Sequence, residues 1–223
     1  MQINQDINDL LKLIGDEMQD ENIIQQLIQA FFALTEVKLK EIYGEEKGMN
    51  ISAKFQKIFN VLLSKNAKMM PDTLSKQHAL NPIFVMALYD AQTISKDEFA
   101  EQMQNIYRNM LKPFLDQQKA SLSSSDNPWK DFVETAKVGN RNLYENEYFK
   151  LNVVHDDESQ FSFDINRCLY FEIFKANNHE DLAPILCKYD FILAENIKKW
   201  VKFERTETIA EKSKKCDFRF FRK

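Results

Sequence analysis

The stretch Y-F-K-L-N-V-V-H-D-D-E-S-Q-F-S-F-D-I-N-R, residues 148–167, decides how this chain is read. Apolar and polar residues alternate over 148–155 and again over 161–167, the period of two that sends successive side chains to opposite faces of a strand. Between the two runs, D-D-E-S-Q supplies a turn. Downstream, helical spacing returns from Leu169 to Ala176 and from Leu182 to Ala194. W-V-K-F-E-R-T-E-T at 200–208 and C-D-F-R-F-F-R at 216–222 then alternate once more. The order β-β-α-α-β-β calls for a four-stranded antiparallel sheet with helices on one face, so the fold class is α+β.

Before Asn140 the periodicity is helical throughout. A stripe from Leu10 to Met18 is followed by Ile23, Ile24, Leu27, Ile28, Phe31, Phe32, Leu34, Val37, Leu39 and Ile42, which predict a helix over 22–43 with Gly44 as its terminator. Phe55, Ile58, Phe59, Leu62 and Leu63 predict a shorter helix after Gly48, broken at Met69-Met70-Pro71. Asn81-Pro82 reads as a cap and first-turn proline ahead of I-F-V-M-A-L-Y-D. Ser95 and Glu98 form a capping box for a helix reaching Phe114, with Pro113 bending its end. The L-S-S-S-D-N-P stretch at 122–128 is linker-like, and Trp129, Phe132 and Val133 restart a helix. The expectation is a single α+β domain over 1–223, with 1–75 as a helical N-terminal extension.

Composition narrows the function classes. With 44% hydrophobic residues and 18 Phe, the chain can bury a sizeable core. A net charge of -4 gives no broad positive field for phosphate neutralisation, so no nucleic-acid partner is expected. M-Q-I-N-Q-D-I-N-D is not a signal peptide, and no apolar run approaches the roughly 20 residues that cross a bilayer. A soluble cytoplasmic protein without a membrane span is expected, its partner a small-molecule ligand; a homo-oligomer stays open. Three cysteines in a reducing compartment read as thiols rather than a disulfide scaffold.

Those thiols concentrate the chemistry in the last third. Cys168 follows Asn166 and Arg167 at a predicted strand-to-helix junction, where unpaired N–H groups, the helix dipole and the neighbouring cation favour a thiolate nucleophile. Cys187 is expected inside a helix and Cys216 at a strand start. Free cysteine is equally at home as a small core residue. Asp190 and Arg205 are charged residues in apolar settings, so they pair if buried, either as a structural link or with Arg205 clamping a carboxylate. Asp217 either joins the site, caps a turn or faces solvent, and Thr208 reads as a strand residue. A divalent metal held by thiolates and carboxylates is the less favoured alternative, because no close C-x-x-C pair exists; His155 and His179 read as surface histidines before extra ligands or bases.

D-F-I-L-A-E at 190–195, F-E-R-T-E-T-I-A at 203–210 and C-D-F at 216–218, with Cys168 and Cys187 ahead of them, form an ordered set. The set resembles the L-2-amino-thiazoline-4-carboxylic acid hydrolase family over roughly 80–221. The resemblance implies hydrolytic opening of a small cyclic amidine or thiazoline carboxylate at a C–N bond, giving a carbamoylated cysteine. It implies a site among Cys168, Cys187, Asp190, Arg205, Cys216 and Asp217. One departure stands out: where the family has a glycine-containing turn, this chain has Glu211-Lys212-Ser213-Lys214-Lys215, a change expected to reshape the site's rim. The alternative is a non-catalytic binding or sensor module on the same fold.

Overall fold

The computed structural model describes residues 21–223, so the Leu10–Met18 stripe lies outside the described residues. Helices α1 (Glu21–Tyr43) and α2 (Glu45–Lys65) form a hairpin through Gly44, whose φ of 82° lies in the left-handed region. Gly48 lies inside α2 rather than before it, because the two helices meet closely there. A Cβ at Gly48 would stand 2.6 Å from the Lys40 backbone.

Helix α3 (Thr73–Asp90) begins at a capping box formed by Asp72 and Ser75, not at Asn81. Pro82 therefore sits inside the helix, at a typical cost of about 3 kcal/mol. Ile83 to Leu88 are buried without a break, and their burial offsets that cost. Helix α4 (Lys96–Ser124) starts at the expected Ser95–Glu98 box and continues past Pro113. Helix α5 (Pro128–Leu143) is capped by Asn127, whose side chain accepts from the Lys130 N–H.

The sheet contains β1 (Leu151–Asp156), β2 (Gln160–Ile165), β3 (Val201–Glu204) and β4 (Cys216–Arg222) in the order β1-β2-β4-β3, every neighbouring pair antiparallel. Three helices lie between β2 and β3: α6 (Leu169–Ala176), α7 (Ala183–Cys187) and α8 (Tyr189–Ile197). The helix expected over Leu182–Ala194 is thus split at Lys188. Cys187 ends a short helix instead of lying within a long one.

Register explains which side chains reach the site. Phe161 pairs with Phe220, Phe163 with Phe218, Ile165 with Cys216 and Phe203 with Phe220, so these residues share one face. On that face Phe163 and Phe218 stack at 4.8 Å, while Phe132 of α5 and Phe191 of α8 reach Phe220 and Phe203. Asp164 and Asp217 pair on the opposite face, where Lys215 and Arg219 neutralise Asp164. Among the described residues no helix is long and apolar enough to cross a membrane.

Candidate functional site

The three thiols, remote in sequence, converge beside Asp190. Cys168 is the N-cap of α6, Cys187 ends α7 and Cys216 opens β4 on the helix-facing side. All three are free, and each lies close enough to the others for their charges to interact.

The expected thiolate at Cys168 is not what its surroundings favour. Burial pushes this thiol up to about 12, and the Phe171 and Tyr170 N–H groups at the start of α6 do not compensate. Arg167, the expected cationic neighbour, is turned away into a two-pronged pair with Glu172 at 2.7 and 2.8 Å. Burial likewise raises Cys187 and Cys216, and the Asp190 charge adds to both. The Cys216 sulfur accepts the Ile209 N–H at 3.3 Å, fastening the segment before β4.

Asp190 and Arg205 form the polar centre. One Arg205 nitrogen, Nη1, donates to Asp190 Oδ2, and Nη2 donates at 3.1 Å to the Cys187 carbonyl, which the break between α7 and α8 leaves available. The guanidinium lies 4.9 Å from the Phe191 ring centre and 5.6 Å from that of Phe218. Its side chain is 5% exposed, and Nε is buried with no hydrogen-bond partner. Burial raises the Asp190 carboxyl to about 6, outweighing the Arg205 charge and hydrogen bond. Yet 29% of the Asp190 side chain meets solvent, as for a group inside a crevice.

Asp217 points to the far face and holds the loop that carries Arg205. Its Oδ1 accepts the Thr206 and Glu207 N–H groups at 2.8 and 2.6 Å, and Oδ2 accepts the Thr206 hydroxyl. Burial works against this charge, but those donors together keep its pKa below the usual carboxylate value. Thr208 lies past β3, not in a strand, and caps the 3-10 turn Ile209–Glu211. Lys212 closes that turn at φ 70°, so the backbone keeps a left-handed shape that glycine would adopt without strain.

Sequence reasoning missed Tyr144 and His78. The hydroxyl groups of Tyr144, Tyr170 and Tyr189 are all pushed up by burial, and the Asp190 charge adds to the rise at Tyr144 and Tyr189. His78, 3% exposed, joins them from α3 through Tyr170 at 2.8 Å. A lone histidine in a buried helix leaves no periodic signal. His155 and His179 lie elsewhere, against Asp157 and Asp90. Among the described residues no three His, Cys, Asp or Glu side chains are grouped to hold a metal. An open groove of about 530 Å³ lined by Glu145, Glu147, Lys150 and Val153 contains none of the thiols.

The sequence model of the family described as L-2-amino-thiazoline-4-carboxylic acid hydrolase matches residues 77–220, more than half of the chain. No curated protein matches the sequence. Among solved structures, the Fe(II) unliganded H-NOX protein from K. algicida is similar at a TM-score of 0.38 and 9% identity, over 86% of this chain and 95% of that one. A point mutant of the same protein gives 0.38 and 8% over the same shares. At that level the likeness transfers neither ligand nor activity to this chain.

Proposed function

The chain belongs to the L-2-amino-thiazoline-4-carboxylic acid hydrolase family, and from that premise we propose that it opens a small cyclic amidine or thiazoline carboxylate by hydrolysis. The observation that carries the proposal is the Asp190–Arg205 pair set among three thiols inside the matched region. A carboxyl that titrates near 6 is ionised at neutral pH and still basic enough to take a proton from water, the balance that general-base catalysis requires. Water oxygen bonds to the amidine carbon as Asp190 receives its proton. The C=N electron pair moves to the ring nitrogen, which takes that proton from Asp190. As the adduct's hydroxyl becomes a carbonyl the ring C–S bond breaks instead of the expected C–N bond, because sulfur leaves more readily than nitrogen, and the departing thiolate takes the hydroxyl proton. Arg205 Nε, buried and without a hydrogen-bond partner, is the guanidinium donor offered to the substrate carboxylate.

In this reading the thiols, protonated at rest, shape the pocket instead of attacking. The same protonation supports a second reading, a binding or sensor module that has the pocket without the chemistry. The two separate by incubating purified protein with 2-amino-thiazoline-4-carboxylate, with and without divalent metal, and following carbamoylated cysteine. Product in either condition supports the hydrolase. Saturable binding with no product in both supports the module.

A further inference from the structure

His78 crosses from α3 to the last residue of α5. Its Nε2 stands 2.9 Å from the Leu143 carbonyl, a group that can only accept, so the ring proton belongs on Nε2. Nδ1 is then a lone pair, and the Tyr170 hydroxyl 2.8 Å away must donate to it. The ring is fixed edge-on against Phe149 at 4.6 Å and lies 5.6 Å from both Tyr144 and Tyr170. Burial, the largest influence on His78, holds its pKa down to about 4, which keeps this neutral form at physiological pH. With the Tyr170 proton committed to His78, the Tyr170 oxygen can only accept. The Tyr144 hydroxyl is within reach of it and close to both Asp190 and Cys168.

We propose that His78 is a positioning residue: by taking the Tyr170 proton it makes the Tyr170 oxygen the acceptor of the Tyr144 hydroxyl, which leaves the Tyr144 oxygen as a hydrogen-bond acceptor beside Asp190 for the N–H groups of a ligand's exocyclic amine. The proposal rests on the amidine-carboxylate reading and deepens it: Arg205 takes the acidic end of the ligand and the Tyr144 oxygen takes the amino end. Tyr170 lies two residues beyond Cys168, so the α6 start that places the thiol also places this wall.

Two flat, non-hydrolysable probes differing only in that group test the idea: 2-aminothiazole-4-carboxylate and thiazole-4-carboxylate, titrated by calorimetry. The wild type should bind the amino compound at least about tenfold more tightly, a ratio expected for one satisfied buried hydrogen bond. His78→Gln can keep the donor to Leu143 but removes the acceptor for Tyr170, and it should erase the ratio. His78→Asn places an amide oxygen near the Nδ1 position and should restore most of it. A merely structural histidine would weaken both probes equally in both variants, and that result overturns the proposal. A wild type that binds neither probe instead sinks the amidine-carboxylate reading, and this proposal with it.

Discussion

Asp190 and Arg205, fifteen residues apart, are joined by an ion pair whose cation also holds the carboxyl end of the preceding helix through the Cys187 carbonyl. One guanidinium therefore ties β3's exit loop to the break between α7 and α8. It does so from a slot between Phe191 and Phe218, where water is largely excluded.

Removing Arg205 should leave Asp190 without its counter-charge. Breaking a buried pair typically costs 3–5 kcal/mol; discounted for the partial exposure of Asp190, Arg205→Ala should destabilise by about 2 kcal/mol at pH 8. The loss should shrink at pH 5, where Asp190 is protonated. Denaturant melts at the two pH values check this, and an equal loss at both would show that the charge pair is not its source.

Asp190 itself should titrate near 6. Its folded pKa is raised above the unfolded value of about 3.9. Its contribution to stability is thus greatest below pH 4, declines as pH rises from 4 to 6, and is level above that. Carbon-13 shifts of the Asp190 carboxyl across pH 3–8 measure the midpoint directly; a midpoint below 4 would contradict the burial argument.

Lys212 occupies a left-handed backbone position that disfavours a side chain. Lys212→Gly relieves strain of about 1–2 kcal/mol, partly offset by the greater freedom of glycine in the unfolded chain, for a net gain of about 0.5–1 kcal/mol. Lys212→Val should lose stability. A midpoint unchanged in both variants would mean the turn relaxes.

All three thiols should react more slowly with a neutral disulfide reagent at pH 7 than free cysteine does, because burial favours their protonated forms. Unfolding should expose them together. One thiol faster than free cysteine in the folded protein would restore the nucleophile that the Cys168 position first suggested.

Asp217→Ala should cost about 1–3 kcal/mol by leaving the Thr206 and Glu207 N–H groups unsatisfied. Because the folded pKa of Asp217 is depressed, the wild-type contribution is present above about pH 4 and lost as pH falls through the folded value. Chemical denaturation of wild type and variant at pH 7 and pH 2.5 tests this: the gap should narrow at the lower pH.

The sheet was legible because residues 148–167 carry a local period of two, and strand pairing then follows from turn length and alternation. The interior proline of α3 was not, since Asn81-Pro82 is a sound local start signal that the burial of a whole helix overrides. The site's members were visible as residue types, but their state was not. The Cys168 helix start predicts a lowered pKa from local dipoles, whereas the packing of distant elements around the thiol decides the sign. His78 escaped for the same reason, its partners lying 65 and 92 residues away.

The most direct test of the central claim is the pH dependence of ring opening on 2-amino-thiazoline-4-carboxylate, compared between the wild type and Asp190→Asn. The account predicts a rate that rises with pH through a midpoint near 6 and levels off, and a fall of at least about a hundredfold, with no such limb, in the variant. A variant that opens the ring at the wild-type rate, or a wild type with no turnover at any pH, would contradict it.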